Sequence, residues 1–246
     1  MSIPISRRLL LQSSVSLSLG ALALGMRAQA AAGASTASEL LAQRLSACHP
    51  SGDPLAALLA GNGRFAAAWQ ATGGNLDPRF AALWRHKCQP DPEALAQGQR
   101  PWAAVLTCAD SRVAPEWLFD LGPGELFDVR SAGNTAFRAG IASLEYAVAE
   151  LAVPLILVLG HSGCGAVQAA LGHEPLTPLL EELVAPIRAG LQAGDDLTQA
   201  VQANVRRVVD ELGQRSDLIR LAVADGRLQI VGAYADIGSG RVSLLT

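Results

Sequence analysis

Four short apolar runs, set between stretches of helical periodicity, constrain this chain more than any other feature. Trp102–Thr107, Glu125–Val129, Pro154–Leu159 and Leu228–Tyr234 are short apolar runs, several of them continuous, the pattern of strands buried on both faces. Helical spacing recurs at Ala139–Leu151, Ala166–Leu171, Leu179–Ala189 and Asp196–Leu212. Such alternation predicts an α/β domain with a mostly parallel central sheet of four to five strands flanked by helices. Arg241–Leu245, after the Gly238-Ser239-Gly240 turn, supplies an antiparallel edge strand. Upstream, Asp53-Pro54 opens a helix with Asp53 as N-cap. Leu55, Leu58, Leu59, Phe65 and Trp69 follow at helical spacing, and Thr72-Gly73-Gly74-Asn75 ends the run. No repeat or linker divides residues 52–246, which read as one domain. Residues 31–51 are an Ala/Ser-rich tail.

Residues 1–30 read as a cleaved leader. Arg7-Arg8-Leu9-Leu10 is followed by an apolar stretch from Val15 to Met26 and by Ala28-Gln29-Ala30, the layout of a secretory signal peptide. The apolar stretch is short for a membrane span and is diluted by Ser16, Ser18, Gly20 and Gly25. The paired arginines resemble a twin-arginine export signal, with cleavage expected after Ala30. A mitochondrial transit peptide and an uncleaved membrane anchor are the competing readings. Export to the periplasm or the medium is therefore expected, with no stable membrane span after cleavage. The twin-arginine route carries proteins that are already folded.

Composition excludes one class. Removing Arg7, Arg8 and Arg27 with the leader leaves 16 basic against 22 acidic side chains, and aromatics make up only 4% of the chain. A mildly acidic surface without a basic stripe or stacking aromatics gives nucleic acid nothing to bind.

Among four cysteines and four histidines, three stand where predicted strands give way to loops. Thr107-Cys108-Ala109-Asp110-Ser111-Arg112 places Cys108, Asp110 and Arg112 on one side of an extended chain. Gly160-His161-Ser162-Gly163-Cys164-Gly165 places His161 and Cys164 on one face of an incipient helical turn, with glycines that allow a sharp bend. If the two strands are neighbours, both segments meet at the carboxyl edge of the sheet, where α/β proteins place ligands. Cys, His and Cys form a zinc set that leaves a fourth position open. Asp110 either fills that position or accepts a hydrogen bond from bound water. A bidentate grip by Arg112 would hold the carboxylate off the metal. A closed structural zinc with Asp110 as fourth ligand and a Cys108–Cys164 disulfide are the alternatives. His49, His86 and His173 read as solvated.

At these residues the chain resembles the β-class carbonic anhydrases. The likeness runs through Gly61-Asn62-Gly63-Arg64-Phe65, Cys108-Ala109-Asp110-Ser111-Arg112, Gly124–Asn134, Ser143–Val148, Gly160–Val167 and Val231–Tyr234, covering roughly residues 52–245. The resemblance implies one Zn²⁺ per chain on Cys108, His161 and Cys164, with Asp110 and Arg112 as a catalytic dyad. It implies reversible hydration of carbon dioxide to bicarbonate and a proton by water activated on the zinc. Gln99 matches the glutamine with which the plant-like subgroup orients substrate, and Phe127, Ala132 and Tyr146 match pocket walls. It also implies a homodimer or higher homo-oligomer clasped by helical arms at Leu40–Leu45 and Asp53–Trp69. Val105 stands where the bicarbonate-regulated subgroup has Trp, so that subgroup's inhibitory anion pocket is not implied. Asp128 and Ser131 replace residues more often Val and Asn. Hydrolysis of carbonyl sulfide or carbon disulfide at the same site, and a non-catalytic zinc-holding protein that binds bicarbonate or a partner, are the rival functions.

Overall fold

The computed structural model describes residues 37–73 and 91–245. The leader, residues 31–36 of the tail, and Gly74, Asn75, His86 and Cys88 lie outside them. Residues 37–45 are helical.

From Gln43 onward the chain forms one compact unit. Helix α1 (Pro54–Ala71) starts where expected, Asp53 accepting hydrogen bonds from the backbone N–H groups of Leu55 and Ala56 at 3.2 and 3.1 Å. Its inner face carries Leu58, Gly61, Asn62, Phe65 and Ala66, the i, i+3, i+4 recurrence of an amphipathic helix. A short helix α2 (Pro92–Gln97), capped by Asp91, leads into β1 (Ala103–Cys108). There follow α3 (Pro115–Leu118), β2 (Leu126–Ser131), α4 (Arg138–Ala149), β3 (Leu155–His161), α5 (Gly165–Leu171), α6 (Pro178–Arg188), α7 (Leu197–Arg215), α8 (Asp217–Ala224), β4 (Gln229–Asp236) and β5 (Arg241–Leu245).

The five strands form one sheet in the order β2-β1-β3-β4-β5, with β5 antiparallel and every other pairing parallel. Period-two alternation explains why the runs read as continuous: both faces are covered. Ala104, Leu106, Ile156 and Val158 pack on one side with Leu144 of α4, Val205 and Val208 of α7, and Ile219 of α8. Ala103, Val105, Leu155, Leu157 and Leu159 pack on the other with Leu58 and Phe65 of α1 and Leu118 of α3.

Three further helices, α2, α3 and α8, stand beyond those that the helical spacing predicts. The last is opened by Ser216, whose hydroxyl accepts from the Ile219 N–H at 3.1 Å. The structure also explains the early Gly61-Asn62-Gly63-Arg64-Phe65 motif as an attachment point. A Cβ on Gly61 would lie 1.9 Å from the Phe119 carbonyl oxygen. Asn62 donates to the Leu118 and Gly240 carbonyls at 3.0 and 2.8 Å and accepts from the Val242 N–H at 2.8 Å. Arg64 pairs with Asp120 at 2.7 Å, and Phe65 stacks on Trp69. One helix face thereby fastens the end of α3 and the start of β5.

Candidate metal centre

Strands β1 and β3 are direct parallel neighbours, with Thr107 opposite Leu159. Their carboxyl ends therefore deliver Cys108 and His161 side by side. After β3 the chain turns through Gly163 at φ 64°, a conformation that favours glycine, and Cys164 becomes the N-cap of α5. The turn is tied to β4 by Ser162, whose N–H donates to the Ala235 carbonyl and whose hydroxyl accepts from the Ile237 N–H, both at 2.9 Å. His161 and Cys164 thus meet as a strand end and a helix cap, not as neighbours on a helical turn.

All three side chains are buried, and their ligating atoms lie within 4.8 Å of one another. The sulfurs are 4.0 Å apart and both thiols are free, so the disulfide alternative does not hold. His161 Nδ1 faces the Ser162 carbonyl oxygen at 3.0 Å. With its proton donated there, the lone pair of the imidazole resides on Nε2. That Nε2 is buried and has no hydrogen-bond partner among the described residues, an expensive arrangement unless a cation takes the lone pair. Two thiols and an orphaned imidazole nitrogen fit zinc. Without a metal, Cys108 is drawn below the ordinary thiol range by the Cys164 thiol, His161 and the Gly133 N–H, while burial acts in the opposite direction. Cys164, beside a thiolate and buried, is pushed up.

Asp110 and Arg112 come together, though not by strand alternation, because β1 ends at Cys108. The chain instead folds into a turn in which Asp110 Oδ1 accepts from the Arg112 backbone N–H at 2.9 Å, an Asx-type closure. Arg112 then grips the carboxylate bidentately, Nε to Oδ1 at 2.9 Å and Nη2 to Oδ2 at 2.7 Å. Nη2 also donates to the Gly163 carbonyl at 3.1 Å, linking the two ligand loops. The guanidinium holds the Asp110 carboxyl far below the usual carboxylate range, against the opposing pull of burial. Arg130 secures the turn from beneath, donating to the carbonyls of Cys108, Asp110 and Val113 at 3.0, 2.8 and 2.6 Å. Its arginine was visible in the sequence, but its three carbonyl partners depend on β2 pairing with β1.

The residues expected to line a substrate pocket are spread more widely. Phe127 on β2 is half-buried and sits 6.2 Å, centroid to centroid, from Tyr146 on α4. Tyr146, Ala132 and Gln99 are exposed, Gln99 on the loop between α2 and β1. His49, expected to be solvated, has its Nε2 2.7 Å from the Arg100 carbonyl oxygen. Cys48 is disulfide-bonded.

A carbonic anhydrase family model matches residues 103–242. A curated carbonic anhydrase of Mycolicibacterium smegmatis is 40% identical over 207 residues, 79% of this chain and 95% of that protein. A solved β-carbonic anhydrase of the fungal pathogen Aspergillus fumigatus superposes with a TM-score of 0.57 at 28% identity, covering 78% of this chain and 91% of that one. The chain belongs to the β-class carbonic anhydrases. A tetrameric member from the ascomycete Sordaria macrospora matches with a TM-score of 0.57 at 25% identity, over 74% of this chain and 97% of that one. The enzyme is a zinc-dependent carbonic anhydrase, and Cys108, His161 and Cys164 make up its metal site. No helix among the described residues is long and apolar enough to cross a membrane.

Proposed function

We propose that the enzyme hydrates carbon dioxide with an open zinc site, kept open by Arg112. The observation that carries this reading is the bidentate Arg112–Asp110 pair beside His161 Nε2, which has no hydrogen-bond partner among the described residues. Zinc held by the three donors supplies the positive charge that makes water a nucleophile near neutral pH. Asp110, acceptor-only while ionised, takes a hydrogen bond from that water and orients it toward the substrate. Arg112 occupies both carboxylate oxygens and so opposes their approach to the metal. Gln99 donates its amide N–H to a substrate oxygen, as in the plant-like subgroup. Phe127, Ala132 and Tyr146 give apolar walls to an apolar, linear substrate. Two thiolates donate more electron density than imidazoles, so activity favours alkaline pH.

The exposure of Gln99, Ala132 and Tyr146 in a single chain is what a pocket completed by a second subunit requires. A homodimer or larger homo-oligomer is part of the proposal, supported by the tetrameric Sordaria relative. Export by the twin-arginine route to the periplasm or the medium is also proposed. Arg7-Arg8 and the leader composition support it, as does a disulfide at Cys48, a bond that persists in oxidising compartments.

Stopped-flow hydration of carbon dioxide against pH, on the same metal-quantified sample offered carbonyl sulfide, tests the reading. Turnover of carbon dioxide rising through an alkaline inflection, with carbonyl sulfide turned over far more slowly, is expected. Preference for carbonyl sulfide would move the substrate assignment, and no turnover of either would leave a non-catalytic zinc protein.

A further inference from the structure

We infer that Asn204 is a positioning residue for the metal centre, acting through the backbone of Gly133 on the Cys108 sulfur. The inference rests on Cys108 being a metal ligand, as assigned above.

Helix α7 buries Ala200, Val201, Asn204, Val205, Val208 and Leu212 against the sheet. In this apolar stripe Asn204 is an exception. It is 1% exposed, at a place where packing alone would take Val or Leu, and burying an amide is costly unless it is hydrogen-bonded. Its Nδ2 donates to the Gly133 carbonyl at 2.9 Å. Its Oδ1 has no partner among the described residues, so the bond to Gly133 is the polar contact that site provides.

Gly133 is the third residue of a turn closed by the Asn134 N–H on the Ser131 carbonyl at 3.1 Å. It adopts φ 74°, and a Cβ there would meet Ile187 Cδ1 at 2.6 Å and Ala166 Cβ at 3.0 Å. From this pinned position its N–H points at Cys108 Sγ, 3.2 Å away. Both backbone groups of one residue are therefore in use: the carbonyl is held by Asn204 and the N–H is directed at the thiolate. A hydrogen bond to a ligating sulfur withdraws electron density from it and so tunes the metal it binds. The amide of Asn204 sets how firmly that bond is held.

The test is cobalt substitution of the full chain, with the thiolate-to-cobalt charge-transfer band as readout and zinc transfer to a chromophoric chelator beside it. Asn204→Leu keeps the branching and the number of heavy atoms and removes the donor. Its band is expected at longer wavelength, and its zinc release about tenfold faster, in line with the usual effect of losing a group that orients a ligand. Val208→Ala, a packing change on the same helix face, is expected to lower Tm and leave the band in place. Asn204→Ala is read the same way if the leucine variant does not fold. A wild-type band and wild-type zinc release in an Asn204 variant would overturn the inference, as would an equal band shift in Val208→Ala. A wild-type protein without the band would instead overturn the assignment of Cys108 itself.

Discussion

Asp110 Oδ2 lies 3.9 Å from His161 Nε2, close enough to share a cation with it and yet turned toward Arg112, whose Nη2 is 2.7 Å away. The carboxylate stands at a fork between ligating the metal and serving the substrate water, and the guanidinium decides which. Arg112→Ala should release it. We expect carbon dioxide hydration to fall by about a hundredfold, the scale on which orienting groups around a metal act, with zinc retained. A crystal structure of the zinc-loaded variant should show Asp110 on the metal. Full activity with an open site would count against the gate.

Cys164 is fully buried and caps α5. Cys164→Ser replaces a thiolate by a harder, protonated donor. The variant should lose stoichiometric zinc and fall to the uncatalysed rate, which elemental analysis and stopped-flow assay will report. Retention of both would remove Cys164 from the ligand set.

Asp128, away from the metal ligands, gives the fold a pH dependence of its own. Its Oδ1 is buried and has no partner among the described residues. Burial, with Glu116 adding to it and Arg130 opposing, raises its pKa to about 7. The folded state thus holds its proton more tightly than the unfolded chain, so stability falls as pH rises from about 4 to about 7 and stays reduced above. Asp128→Asn should raise stability at pH 8 by on the order of 2 kcal/mol, about half the full linkage value because the group is not wholly buried. At pH 4 it should change little. Denaturant melts at the two pH values give the comparison, and an equal effect at both would show that burial of the charge is not the cause.

Gly61→Ala tests the attachment of α1. With a Cβ at 1.9 Å from a backbone oxygen, helix and α3 must separate. A loss of about 3 kcal/mol is expected, read as a lower denaturation midpoint with unchanged slope. A loss under about 0.5 kcal/mol would mean the contact relaxes freely.

The sheet was legible because doubly covered parallel strands are apolar at most positions, as in β1 and β3, which are buried throughout. The metal ligands were legible because strand ends followed by glycine-rich turns place chemistry at a sheet edge. Part of what escaped depends on neighbours distant in sequence. Arg130 acts on three carbonyls of another loop, and Asn204 looks like one polar lapse in an apolar stripe until Gly133 is beside it. The expected strand-face alignment of Asp110 and Arg112 gave way to a turn, since a side chain that bonds its own backbone competes with extension of the strand. Helix α8 was missed because its Ser216 cap follows α7 without a break.

Two sulfurs and one imidazole hold a single zinc ion in this enzyme. Zinc X-ray absorption on protein of measured metal content tests this most directly. One zinc per chain, with two sulfur scatterers near 2.3 Å and the remaining light atoms near 2.0–2.1 Å, is the predicted result. A chain without stoichiometric zinc, or zinc surrounded by light atoms alone, would contradict it.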